Sequence, residues 1–90
     1  MEFEWDRRKA QRNLRKHGVT FEEAVSAFAD PEELMIDDPD HSFDEERFVS
    51  VGMSLLGRLL VVGYTERGSK IRLIFARRAT TPERFDYEEA

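Results

Sequence analysis

The sequence predicts an α+β domain: two N-terminal helices, a four-stranded antiparallel sheet and a short C-terminal helix. Three observations carry this expectation. Apolar residues recur at helical spacing up to Asp30-Pro31 and alternate in strand fashion afterwards. Turn signals at Leu56-Gly57 and Glu66-Arg67-Gly68-Ser69 separate the later apolar stretches, so consecutive strands pair as hairpins. Thr81-Pro82-Glu83 then has the composition of a helix start. A chain of 90 residues holds one such domain, residues 1–90.

Each element has a local cause. Asp6 is placed to cap a helix running to about Lys16, with Gly18 as the residue that ends it. Thr20-Phe21-Glu22-Glu23 reads as a capping box in which Thr20 accepts from the Glu23 amide and Glu23 reaches back. The second helix follows with Phe21, Ala24, Val25 and Phe28 on one face, and Asp30-Pro31 stops it. Ahead of the first helix, Phe3 and Trp5 alternate with acids, which fits a short strand or an anchor on the core. Leu34 to Ile36 is a short apolar stretch, and residues 37–45 read as an acidic loop. Arg47 to Met53 places Val49, Val51 and Met53 on one face. Arg58 to Thr65 is apolar on both faces, as a central strand requires. In the last strand, from Lys70, strict alternation puts Ile71, Leu73 and Phe75 together, facing the helices. Thr81 is expected to cap the final helix with Pro82 at its first position, and Phe85 to dock on the sheet. All helices are expected on one face.

Composition excludes several classes. There is no cysteine, which removes disulfide scaffolds, thiolate metal sites and thiol nucleophiles. No apolar run approaches the roughly 20 residues of a membrane-spanning helix, and the acids in MEFEWDRRK do not fit a secretory signal. A cytoplasmic protein without a membrane partner is expected. The net charge is −5, but nine acids fall between Asp30 and Glu46, a segment that holds no Lys or Arg before Arg47. Without those nine, 14 bases face 10 acids. The bases cluster between Arg7 and Lys16 and between Lys70 and Arg78. Such a dipolar chain can attract phosphate locally despite its total charge, although charge runs also serve simply as solvated faces.

Arginine on a sheet is the most informative chemical feature. Arg58, Arg67, Arg72, Arg77 and Arg78 fall in or beside the last two strands and are expected to converge on one side or end of the sheet. Guanidinium grips phosphate bidentately and could neutralise charge building in a transition state. The other use of these arginines is pairing with acids of residues 30–46 or with Glu88 and Glu89. RNA cleavage without a metal also needs proton carriers for the attacking 2′-hydroxyl and the leaving oxygen. His17 and His41 are the natural candidates, with Glu46, Lys16 and Tyr64 available if their surroundings shift them. A helix-capping role for His17 and an exposed-loop role for His41 stand beside this reading. Asp37, Asp38, Asp40 and His41 could also bind Mn²⁺ or Mg²⁺, although their spacing matches no calcium loop or zinc motif.

The motifs together resemble one family. Phe3-Glu4-Trp5-Asp6, Lys9, Asn13, Lys16-His17-Gly18-Val19-Thr20-Phe21-Glu22-Glu23-Ala24 and Asp30-Pro31 look like the opening of the BrnT toxins. Glu46-Arg47-Phe48, Gly57-Arg58, Tyr64-Thr65-Glu66-Arg67, Ile71-Arg72, Ala76-Arg77-Arg78-Ala79-Thr80 and Glu83-Arg84 continue the likeness along essentially the whole chain. The resemblance implies a RelE-like ribonuclease fold and a type II toxin–antitoxin module. It implies a toxin that cleaves RNA, stops translation and is neutralised by a BrnA-like antitoxin, touching operator DNA only through the antitoxin complex. A homodimer or a heterotetramer with antitoxin is compatible with it. The expected catalytic set is Arg72, Arg77, His17 and Glu46, and the expected RNA-binding set is Lys16, Arg58, Arg67 and Arg78, with no metal and no cofactor. The alternative is a catalytically weak binding module acting as antitoxin partner and co-repressor. One position departs from the family, which commonly has Ser where this chain has Phe75.

Overall fold

In the computed structural model, residues 1–37 and 46–90 are described. The elements are β1 (Glu2–Glu4), α1 (Arg7–His17), α2 (Phe21–Ala27), β2 (Leu34–Asp37), β3 (Arg47–Met53), β4 (Leu59–Arg67), β5 (Lys70–Arg78) and α3 (Thr81–Glu89). The sheet is five-stranded and mixed, in the order β1-β5-β4-β3-β2. This corrects the four-stranded antiparallel expectation. The Phe3 segment is a strand in its own right, pairing parallel with β5 through Glu2–Lys70, Phe3–Ile71 and Glu4–Arg72. A three-residue strand whose partner lies at the far end of the chain leaves no local mark beyond its alternation.

The helix signals are met, with two differences. The Asp6 carboxylate accepts from the Lys9 amide at 3.0 Å and starts α1. Gly18 ends it in the left-handed region, φ 70°, donating its N–H to the Leu14 carbonyl at 2.8 Å. Thr20 caps α2 through the Glu23 amide at 3.0 Å. Glu23, however, does not reach back to Thr20. Its carboxylate is taken by the Arg58 guanidinium and by the Ser54 hydroxyl, the latter at 2.7 Å. A charge-assisted fork outcompetes a neutral amide for the same oxygens. The cap of α3 is Thr80, one residue earlier than expected: Glu83 completes its capping box by accepting from the Thr80 amide at 2.8 Å. That phase leaves Phe85 exposed and turns Tyr87 inward instead.

Two apolar layers flank the sheet. On the α1/α2 side, Val19, Phe21, Ala24, Leu60, Val62, Tyr64, Ile71, Leu73 and Ala76 form one buried cluster, closed by Phe3 and Trp5. Each fully buried Leu or Phe there contributes roughly 1.5–3 kcal/mol, so this layer is the principal source of stability. On the other side, Val51, Leu59 and Val61 are covered by Phe75, Ala79 and Tyr87. The expectation of all helices on one face is thus corrected: α3 lies opposite α1 and α2. It is tied down by Arg77 and by the Tyr87 hydroxyl, which donates to Asp30 at 2.5 Å. Burial opposes ionisation of Asp30, but the Tyr87 hydroxyl and the Met53 amide outweigh it and hold the carboxyl below its usual range.

The last strand departs from strict alternation. Tyr64 pairs with Leu73 and Gly63 with Phe75, so Ile74 is an extra residue in β5. A bulge of this kind reverses the facing of all that follows. Ile71 and Leu73 therefore lie under the helices as expected, whereas Phe75 points to the α3 face. Its ring lies over Gly63, where a Cβ would come within 2.0 Å of the ring. Glycine is needed there for close approach.

Beyond the end of β1, the edge of β5 is met by a side chain. The Asn13 amide donates to the Ala76 carbonyl at 2.7 Å, while its oxygen accepts from the Ala76 amide at 3.0 Å. Its second amide hydrogen goes to the Val19 carbonyl at 3.0 Å. Asn13 thus holds α1, the α1–α2 connection and β5 together.

Asn13→Ala strands three buried backbone groups. Its folding stability is expected to fall by roughly 2–4 kcal/mol, measured by chemical denaturation. Gly63→Ala is expected to cost about 1–3 kcal/mol through overpacking. In a Phe75→Ser background the cost of Gly63→Ala should fall toward zero, and a thermodynamic cycle over the four proteins checks it.

Candidate active-site cleft

The cleft forms where β1 stops. Because β1 covers β5 only from Lys70 to Arg72, the edge beyond is open, and α1 runs beside it. The positions 9, 12, 13, 16 and 17 share one face of the helix through their i+3 and i+4 spacing. With Asn13 pinned to Ala76, that face must look onto the bulged stretch of β5. The result is a cleft of about 350 Å³ lined by Lys9, Arg12, Asn13, Lys16, His17, Ile74 and Phe75. No carboxylate belongs to this lining, and among the described residues Lys9, Arg12 and Lys16 form no salt bridge. The lining offers an imidazole, two ammonium groups and a guanidinium, the donor set that receives anions.

Of the sequence-predicted residues, Lys16 and His17 are brought together in this cleft. Arg72 lies on the same sheet face as Phe75, three positions earlier on β5, a separation of roughly 10 Å. Its guanidinium contacts Glu4 at 3.1 Å, and Lys70 approaches the same carboxylate at 3.8 Å. Thr65 is its cross-strand neighbour. Arg77 follows Phe75 by two positions on that face and is held by Glu83 in a fork of two 2.8 Å hydrogen bonds. The Arg77 guanidinium keeps the Glu83 carboxyl down at about 2.

The remaining predicted residues lie elsewhere, so the arginines of the last two strands do not form one cluster. Arg58 grips Glu23 and the Gly18 carbonyl, the latter at 3.1 Å, locking the β3–β4 turn to the start of α2. That contact, chiefly the Arg58 hydrogen bond, lowers the pKa of Glu23. Arg78 is exposed on the opposite sheet face from Arg77, where its charge also favours ionised Glu23. Arg67 stands at the end of β4 opposite Lys70. Glu46 precedes β3 and lines a separate pocket of about 280 Å³ with Phe48, Thr65 and Glu66, its carbonyl accepting from the Thr65 hydroxyl at 2.6 Å. Tyr64 is buried, and burial, with Glu33 and Glu66 nearby, pushes its hydroxyl up to about 12, away from proton transfer near neutrality. His41, Asp38 and Asp40 lie outside the described residues, with Asp37 at the end of β2.

Lys9 and Arg12 are absent from the site residues expected from the sequence. Their spacing from Lys16 is the signal that marks them, once the facing of α1 is fixed by Asn13.

A small α+β domain with a cationic cleft at a sheet edge is the class that this geometry defines. A family model described as "Ribonuclease toxin, BrnT, of type II toxin-antitoxin system" matches residues 5–83, and the chain belongs to that family. Among solved structures it is similar to the Brucella abortus ribonuclease toxin BrnT, with 25% identity, a TM-score of 0.62, and coverage of 90% of this chain and 99% of that one. No curated protein matches the chain. No helix of the described residues is long and apolar enough to cross a membrane.

The fork between Arg77 and Glu83 makes the docking of α3 acid-sensitive. The folded carboxyl, at about 2, lies below its ordinary 4.5, so its stabilisation is complete above the ordinary value and is lost as pH falls toward 2. Across that window the Tyr87 resonances are expected to shift toward undocked values, and Glu83→Gln should flatten the dependence.

Proposed function

We propose that this chain is a ribonuclease toxin of a type II module, built on a RelE-like scaffold, that cleaves RNA in the cytoplasm without a metal and so inhibits translation. The observation that carries the reading is the cleft itself: an imidazole beside ammonium and guanidinium groups, free of carboxylate and adjoining the Arg72 face. Its donors suit a phosphodiester and offer no oxygen cage for a divalent ion. In this reading the ribose 2′-hydroxyl attacks the adjacent phosphorus as His17 takes its proton. The bond from phosphorus to the 5′ oxygen breaks, and that oxygen receives a proton from the imidazolium. The products are a 2′,3′-cyclic phosphate and a 5′-hydroxyl. Lys16 and Arg72 offset the negative charge gathering on the phosphoryl oxygens. Arg72 would then exchange Glu4 for phosphate. Arg67 and Arg78 would serve flanking RNA, and Arg77 would join if Glu83 releases it.

As a type II toxin the chain would pair with an antitoxin. We assign that role to a BrnA-like protein, through which alone the complex would meet operator DNA. One observation favours the second reading, a catalytically weak binding module and co-repressor: Arg58, Arg72 and Arg77 are all engaged by carboxylates.

Induced expression is expected to stop growth, with His17→Ala or Arg72→Ala restoring it and each lowering the cleavage rate by roughly 10²–10⁴-fold. Cleavage should persist in EDTA. Unimpaired growth, together with purified protein that binds antitoxin but leaves RNA intact, would replace the nuclease reading with the binding-module one.

A further inference from the structure

The cleft is larger than a single phosphate requires, and half of its charge lies away from His17. Arg12 and Lys9 sit about one and two turns nearer the start of α1 than Lys16. Their presence there is not explained by the helix. The first turn of α1 carries Arg7, Arg8 and Lys9 and no acid, whereas a helix N-terminus favours anions by some tenths of a kcal/mol for each charge. Lys16 and His17, in the last turn, suit the dipole; Lys9 does not. Nor do salt bridges account for the two cations, since neither forms one among the described residues. Asp6 attracts both charges, but its carboxylate hydrogen-bonds the Lys9 amide rather than either side chain. Across the cleft from them lies Phe75, held by its seat over Gly63.

We propose that Lys9, Arg12 and Phe75 form a subsite for a nucleotide one step beyond the two that flank the scissile phosphate, with its phosphate on the two cations and its base against the Phe75 ring. This inference rests on the reading of the cleft as the place where RNA is bound. Stacking on an aromatic ring tolerates any base and contributes a sequence-independent share of affinity, while the cations make the subsite salt-dependent. The substrate class is therefore an oligonucleotide that extends beyond the cleaved step, and a dinucleotide leaves the subsite empty.

The test is binding of a fluorescent 2′-O-methyl hexanucleotide, which cannot be cleaved, to the full chain at several salt concentrations. Lys9→Gln/Arg12→Gln is expected to weaken binding roughly tenfold at low salt and to flatten the slope of log Kd against log salt by about 1.4. Phe75→Leu, which keeps an apolar side chain but removes the ring, should weaken binding without changing that slope. The double variant should melt with the wild type, Phe75→Leu should stay folded with a somewhat lower melting temperature, and both should bind a dinucleotide as the wild type does. An unchanged hexanucleotide affinity in the double variant, or no wild-type binding, overturns the subsite. An unchanged affinity in Phe75→Leu overturns its stacking half. Poly-glutamate held more tightly than the hexanucleotide, and released by the double variant, would reassign the cleft to an acidic peptide. Because the probe is not cleaved, a chain that binds it in this way but leaves natural RNA intact refutes the nuclease reading and spares the subsite.

Discussion

Asn13 stands in for a strand, and the rest of the arrangement follows from that substitution. A carboxamide carries a donor and an acceptor side by side, as a peptide unit does, and here both are spent on Ala76. The pairing fixes the height and the rotation of α1 against β5. A rotation by one residue, about 100°, would carry Lys9, Arg12, Lys16 and His17 off the sheet edge and into solvent. The charge pattern of the helix acquires meaning only because one buried amide sets its phase.

A second constraint sorts the charges. Arginines that face acids across short distances are consumed in the architecture. Arg58 welds the β3–β4 turn to α2 through Glu23, and Arg77 fastens α3 through Glu83. Lys9, Arg12 and Lys16 form no salt bridge among the described residues, because their face looks onto a strand edge rather than onto an acidic element. Position in the fold, not residue type, divides the cations of the scaffold from those of the cleft.

Much of this was legible in the sequence. Asp6, Gly18 and Thr20 mark helix ends through side-chain and backbone rules that act within four residues, and the hairpins are written in their turns. The failures share a cause, which is that their determinants are distant or depend on a single register. The pairing of Phe3 with Ile71 spans most of the chain. The bulge at Ile74 is invisible to alternation, because Ile71 to Phe75 reads as regular until Gly63 makes room for a ring. The choice between Thr80 and Thr81 as cap is decided by whether Glu83 reaches the amide in front of it, and it turns Tyr87 rather than Phe85 inward. For the cleft, Lys16 and His17 could be named from their chemistry. Lys9 and Arg12 could not, because nothing local shows which side of α1 meets the sheet.

The carboxamide at Ala76 also has a bearing on assembly. A sheet that ends in a bare strand invites another chain to continue it, and proteins commonly blunt such margins. On this flank β1 occupies the first half of the border and Asn13 answers the backbone midway along the second. A neighbouring polypeptide would find its docking rungs already taken. Pairing of an outside strand directly onto β5 is thereby discouraged.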